Sequence, residues 1–143
     1  MRVELEKTEI AQRSHFLASF EAILLQYEAQ LGEKLTIFRT GVYRDTLSNR
    51  GVTFTAEAKS DNVPIYKIGW SPLEKTLYWT LVLVLEKGRG TGTRLRQMTE
   101  ELGINMEAEK IVCQYIYRRH LEYWQKIGYQ VDFDRQEAIR FLV

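Results

Sequence analysis

Apolar positions recur at three- and four-residue steps through the first part of the chain, at Phe16, Phe20, Ile23, Leu24, Tyr27 and Leu31. That spacing is one face of an amphipathic helix. Thr8 suits its N-cap and Gly32 the position just past its end, and its apolar face calls for a sheet to cover. Four extended runs follow: Leu35 to Arg44, Val52 to Lys59, Pro64 to Trp70 and Thr76 to Glu86. Between them stand Asn49-Arg50-Gly51, Ser60-Asp61-Asn62 and Ser71-Pro72, turn chemistry of hairpin length, so neighbouring strands are expected to be antiparallel. In the second run Val52, Phe54, Ala56 and Ala58 alternate with Thr53, Thr55, Glu57 and Lys59, which predicts one buried and one wetter face. The fourth run contains Leu81-Val82-Leu83-Val84-Leu85, apolar at every position, and reads as a central strand covered above and below.

Beyond it the pattern changes. A glycine-rich segment, Gly88-Arg89-Gly90-Thr91-Gly92, leads into a helix with Leu95, Met98 and Leu102 inward and Gly103 at its end. A strand from Ile111 to Tyr117 then passes into a second helix, about Arg118 to Ile127, with Leu121 and Trp124 on one face and Gly128 closing it. Tyr129 to Phe133 and Ala138 to Val143 make a terminal pair of strands. The order predicts an α/β (α+β) fold, a mixed and mostly antiparallel sheet with helices on its faces.

The chain of 143 residues is 45% hydrophobic, which suits a single domain spanning 1–143 and excludes general disorder. A formal net charge of +1 provides no overall field to gather nucleic acid or anionic lipid, and neither partner is expected. The single Cys113 excludes an internal disulfide, and two separated histidines, His15 and His120, make no zinc ligand set. Cys113 reads as a small core hydrophobe. Charged residues in Met1 to Lys7, and no apolar run of membrane-spanning length, point to the cytoplasm.

The glycine segment carries the chemistry. A strand that ends in glycines and runs into a helix converges bare N–H groups on the positive end of a helix dipole, a device for holding phosphate. Lys87, Arg89 and Arg94 add positive charge. A dinucleotide fingerprint starting at Gly88 and Gly90 fails because Thr93 stands where its third glycine belongs, and a Walker loop fails because Gly92 is followed by Thr93-Arg94.

Lys87-Gly88-Arg89-Gly90-Thr91-Gly92 resembles the acyl-CoA pyrophosphate loop of the GNAT acetyltransferase superfamily, Gln/Arg-x-x-Gly-x-Gly/Ala, with Lys87 in place of the usual first residue. Trp124-Gln125-Lys126-Ile127-Gly128-Tyr129 is similar to the family's Tyr-x-Lys-x-Gly-Phe segment. The resemblance covers Thr76 to Phe133. It implies a GNAT-like fold and transfer of an acetyl group from acetyl-CoA, or of another acyl group from its CoA thioester, to an amine that attacks directly. By the same resemblance Val82 and Val84 border the pantetheine arm, and Lys87, Gly88, Arg89, Gly90, Thr91, Gly92 and Thr93 hold the diphosphate. The acceptor is a small-molecule or protein amine, and a homodimer stays open.

Such a reaction needs a neutral amine, a stabilised oxyanion and a departing thiol. A lysine acceptor with pKa near ~10.4 costs about 4 kcal/mol to deprotonate at pH ~7.4, whereas an α-amine near ~7.7 hardly needs a base. Glu57 and Glu86 are the carboxylates on strands that suit the base, Glu86 being nearer the glycines. The family's general acid is the tyrosine of its second segment, where this chain has Trp124. Tyr117 and Tyr123 are the substitutes nearest in sequence. A thiol near ~8.5 departs tolerably as thiolate, so the donor contributes toward the low end of ~10²–10⁴-fold. The family's first strand would be supplied by Arg2 to Leu5, and Tyr43, Tyr66, Trp70, Tyr78 and Trp79 are available to line an acceptor pocket. A CoA-binding or protein-interaction module with reduced catalysis, and a structural domain without CoA, are the alternatives.

Overall fold

The computed structural model describes residues 4–31, 34–45, 51–60, 63–80 and 91–142. Helix α1 (Lys7–Leu31) precedes the hairpin-linked strands β1 (Thr36–Asp45), β2 (Gly51–Ser60), β3 (Val63–Ser71) and β4 (Thr76–Thr80). Helix α2 (Thr91–Asn105), strand β5 (Lys110–Gln114), a 3₁₀ turn (Arg118–His120) with helix α3 (Leu121–Lys126), and strands β6 (Gln130–Asp132) and β7 (Glu137–Phe141) complete the order. The strands form one seven-stranded sheet, β1-β2-β3-β4-β5-β7-β6, in which β4 and β5 are parallel and every other pair is antiparallel. β4 (Thr76–Thr80) is thus the middle strand of the described sheet. The ladder between β2 and β3 shifts register beside Pro64, which has no N–H to continue it.

Three helices pack on one face of this sheet. Phe20 of α1 stacks on Tyr66 of β3 at 5.8 Å, Thr99 of α2 meets the Tyr66 hydroxyl at 2.6 Å, and Trp124 of α3 stands edge-on to Trp79 of β4 at 5.7 Å. Trp79 faces Ile68 across the ladder, two residues from Tyr66, so both rings lie on the same side of the pleat. A line of rings crosses the molecule from α1 to the C-terminal strands: Phe16, Phe20, Tyr66, Trp79, Trp124 and Tyr129, with neighbouring centroids 4.9–6.1 Å apart. Spacings of this kind contribute about 0.5–1.5 kcal/mol per pair beyond the area they bury. The opposite face carries Thr55, Glu57, Lys67, Tyr78 and Thr80, all half-buried. The expectation of a strand covered on both sides rests on Leu81 to Leu85, which lie outside the described residues; at Thr76–Thr80 the second face carries the half-buried Tyr78 and Thr80.

Local chemistry explains the helix ends and corrects several boundaries. α1 begins one residue before Thr8, and its first turn is closed by Glu9, whose carboxylate accepts the Glu6 N–H at 3.0 Å. This is the glutamate half of a capping box. The expected strand at Arg2 to Leu5 is absent at Glu4 and Leu5, while Arg2 and Val3 lie outside the described residues. Gly103 does not end α2. It sits two residues inside the helix, where a Cβ would come within 2.7 Å of Leu142 Cδ1 and 3.3 Å of Ile111 Cδ1, so its role is close packing on β5.

α2 instead stops at Glu107, whose left-handed backbone (φ 56) lets Ala108 donate to the Gly103 carbonyl and Glu107 to that of Ile104. That pair of bonds is a Schellman motif. α3 ends the same way on Gly128 (φ 101), with Tyr129 donating to the Trp124 carbonyl and Gly128 to that of Gln125. The predicted helix from Arg118 to Ile127 is therefore a 3₁₀ turn and six α-helical residues, and the predicted strand to Tyr117 ends at Gln114. Tyr115 (φ 60) breaks it, because a left-handed residue cannot extend the ladder.

Candidate active site

β4, α2 and β5 make the one parallel crossover of the described fold, and such crossovers place ligand sites beyond the carboxyl ends of their strands. Here those ends are Thr80 and Gln114, paired across the ladder. The segment 81–90 links Thr80 to the first turn of α2. Val82, Val84, Glu86, Lys87, Gly88, Arg89 and Gly90 therefore lie outside the described residues, as do the side chains of Thr91 and Gly92, the first two residues of α2. Thr93 is exposed in that first turn.

The amino end of α2 is chemically unlike that of α1. Its first turn contains no acidic residue, whereas α1 closes its own with Glu9. Free N–H groups and the dipole at an end without a carboxylate favour an external anion. Arg94 points along the helix pair instead, donating to Gln30 Oε1 of α1 at 3.3 Å.

The carboxyl end of β5 lies beside that of β4. After Tyr115 the chain is pinned by Ile116, whose N–H donates to the Gln136 carbonyl at 3.0 Å while the Gln136 amide donates back to the Ile116 carbonyl at 2.9 Å. Tyr117 follows, 63% exposed, with the Arg119 guanidinium 5.2 Å above its ring and His120 edge-on at 6.1 Å. The structure thus brings Tyr117 to the same end of the sheet as the start of α2. Tyr123 is exposed on α3, edge-on to Trp124 at 6.4 Å. Glu57 stands on β2 between Arg39 and Lys67 in the ladder, two strand spacings or about 10 Å from β4. Tyr115, 75% exposed and left-handed, is a candidate that the sequence reading passed over as one more alternating strand residue. Backbone strain of this kind gathers at functional positions, and nothing in the local pattern announced it.

Two expectations change once burial is known. Trp124, at the position of the family's proton donor, is 7% exposed and wedged between Trp79 and Tyr129; it is a core residue. Of the aromatics named for an acceptor pocket, Tyr66, Trp70 and Trp79 are buried core, Tyr78 is held by the Glu74 carboxylate at 3.0 Å, and Tyr43 is exposed. Cys113 is fully buried, and burial, with Glu100 nearby, pushes its thiol well above the ordinary range, as a core hydrophobe requires.

Tyr129 replaces the phenylalanine of the family segment, and its hydroxyl is used. It donates to Glu100 Oε1 of α2 at 2.8 Å, and the same oxygen receives Arg96 at 3.3 Å and lies 3.5 Å from Arg140. Burial raises the Tyr129 phenol, and the Glu100 contact raises it further. This cluster couples the helix after the glycine segment to the second segment, Trp124 to Tyr129.

The described strand–helix–strand–helix order and the closing strand pair match what the two sequence segments imply. The fold is a mixed α/β one, a mostly antiparallel sheet with the described helices on one face. No protein-family model matches the chain, and no curated protein matches it. Among solved structures it is similar to GCN5 of Tetrahymena (14% identity, 96% of this chain and 91% of that one, TM-score 0.47). It is also similar to nourseothricin acetyltransferase (14%, 79% and 91%, TM-score 0.42) and to an acyl-CoA N-acyltransferase from Pseudomonas aeruginosa (12%, 96% and 93%, TM-score 0.39). These likenesses concern the arrangement of the chain and assign neither substrate nor site. Among the described residues no helix is long and apolar enough to cross a membrane, and no cluster of metal-ligating side chains occurs.

Proposed function

We propose that the chain is an acyl-CoA-dependent N-acyltransferase, with acetyl-CoA as the donor and a small-molecule or protein amine as the acceptor. The observation that carries this reading is the parallel β4–α2–β5 crossover, with the glycine segment leading into an α2 end free of acidic residues. Acetyl-CoA supplies the activated thioester. The amides of Gly88 to Gly92 and the start of α2 hold the diphosphate, with Lys87 and Arg89 completing the charge, and Val82 and Val84 border the pantetheine arm. The amine nitrogen bonds to the acyl carbon as the carbon–sulfur bond breaks. The amine proton passes to Glu86 or to water, and the thiolate leaves, taking a proton from Tyr117 or Tyr123. Tyr117 is the better placed of the two, since it follows directly from the end of β5.

Burial of Trp124 favours a second reading from the same fold, a CoA-binding or protein-interaction module with reduced catalysis. Calorimetric titration with desulfo-CoA and an amine panel scored by thiol release separate the two. Gly90→Asp, which puts bulk and negative charge where the diphosphate sits, is expected to abolish desulfo-CoA binding while thermal unfolding stays unchanged. Undiminished affinity in that variant overturns the placing of the diphosphate on the glycine segment, and a parent chain that binds neither acetyl-CoA nor desulfo-CoA overturns the acyltransferase reading. Binding with no thiol release across the amine panel leaves only the second. The cytoplasm is the proposed location, and a homodimer the proposed alternative to a monomer.

A further inference from the structure

At the pole where β4 and β5 begin, α1, the turn between β3 and β4, and the end of α2 border an open hollow of about 420 Å³. That is within the range of small-molecule sites. Trp70 and Met106, both nearly buried, form its apolar floor, and His15, Lys75 and Glu107 stand exposed on its rim. Lys75 (φ 50) and Glu107 (φ 56) both have left-handed backbones. One closes a turn and the other is the residue past the end of α2, positions that ordinarily take glycine or asparagine. A residue with a side chain is strained there. The Glu109 N–H donates to the Lys75 carbonyl at 2.8 Å, so the two turns are joined. Neither Lys75 nor Glu107 has an ion-pair partner among the described residues.

An ammonium and a carboxylate left unpaired around an apolar floor complement a small zwitterion with an apolar body. We infer that this pocket binds a free α-amino acid with an apolar side chain. Glu107 takes the ligand ammonium, Lys75 and His15 take its carboxylate, and the side chain lies on Trp70 and Met106. The site is apart from the proposed acyl-transfer site and does not depend on it.

The test is an NMR titration of the intact chain, read at the Trp70 indole N–H and the Met106 methyl. L-leucine and L-phenylalanine are the probes, and 4-methylpentanoate and 3-methylbutylamine are analogues of leucine that each lack one charged group. Saturable shifts are expected with both amino acids, and affinity at least tenfold lower for each analogue. Lys75→Gly and Glu107→Gly suit the left-handed backbone and are expected to keep or raise the unfolding temperature while weakening L-leucine binding tenfold or more. The proposal is overturned by shifts that stay linear to the solubility limit of both amino acids, by analogues that bind as well as leucine, or by glycine variants that bind like the parent.

Discussion

Replacing Trp124 with tyrosine introduces the residue type of the proton donor in the segment it resembles, and the structure predicts that it harms the protein instead of activating it. Trp124 is 7% exposed and lies edge-on to Trp79 at 5.7 Å and to Tyr129 at 4.9 Å. Trp124→Phe keeps a ring between these neighbours and loses part of the indole. Full truncation of a buried Trp costs about 3–5 kcal/mol, so about 1–2 kcal/mol is expected for the partial loss. Trp124→Tyr adds a hydroxyl among the ring edges of Trp79 and Tyr129, which offer it no strong acceptor. Burying that group unpaired costs about 1–3 kcal/mol more. For a chain of 143 residues, about 4 °C per kcal/mol places the tyrosine variant roughly 4–12 °C below the phenylalanine variant. Urea unfolding of the two at equal m-value gives the difference directly, and thiol release with the amine panel reads catalysis. A tyrosine variant as stable as the phenylalanine variant, with faster amine-dependent thiol release, would show that the hydroxyl reaches the reacting atoms and that the core assignment is wrong.

Three further outcomes are expected. Burial raises the Cys113 thiol in the folded state, so the unfolded chain ionises first. Stability should be level below pH ~8 and fall above the unfolded value of ~8.5 by about 1.4 kcal/mol per pH unit. Cys113→Ala should delay that fall to pH ~10, where Tyr66 and Tyr129, both also raised by burial, begin to contribute; denaturant midpoints across pH measure it. Gly128→Ala should cost about 1–2 kcal/mol of unfolding free energy, because φ is 101 while nothing lies within 4 Å of the added carbon; a melting temperature equal to the parent's contradicts the cap. Tyr129→Phe should cost about 1–2 kcal/mol through the lost bond to the Glu100 carboxylate, and Glu100→Gln in the same background should then cost less than it does alone, as a double-mutant cycle would show.

The sequence by itself determined the elements and their order, because the signals that set them lie within a few residues of one another. The alternation of Val52, Phe54, Ala56 and Ala58 against threonines and charges predicted a half-buried strand, and all four are buried. The spacing of Phe16, Phe20, Ile23, Leu24 and Tyr27 predicted the covered face of α1, and Gly128 marked the end of α3 through its freedom at positive φ.

Tertiary structure decided what depends on residues far apart in the chain. Gly103 looked like a helix end, yet it packs against Ile111 and Leu142 inside the helix. Trp124 looked like an altered catalytic position, yet Trp79, 45 residues earlier, makes it core. All three helices share one face because Tyr66 and Trp79 alternate onto the same side of the pleat. Lys75 and Glu107 border one pocket only because the parallel pairing of β4 with β5 sets the turn before one strand beside the turn before the other. Local periodicity reports which side of an element is apolar, and only the packed chain reports which group stands opposite.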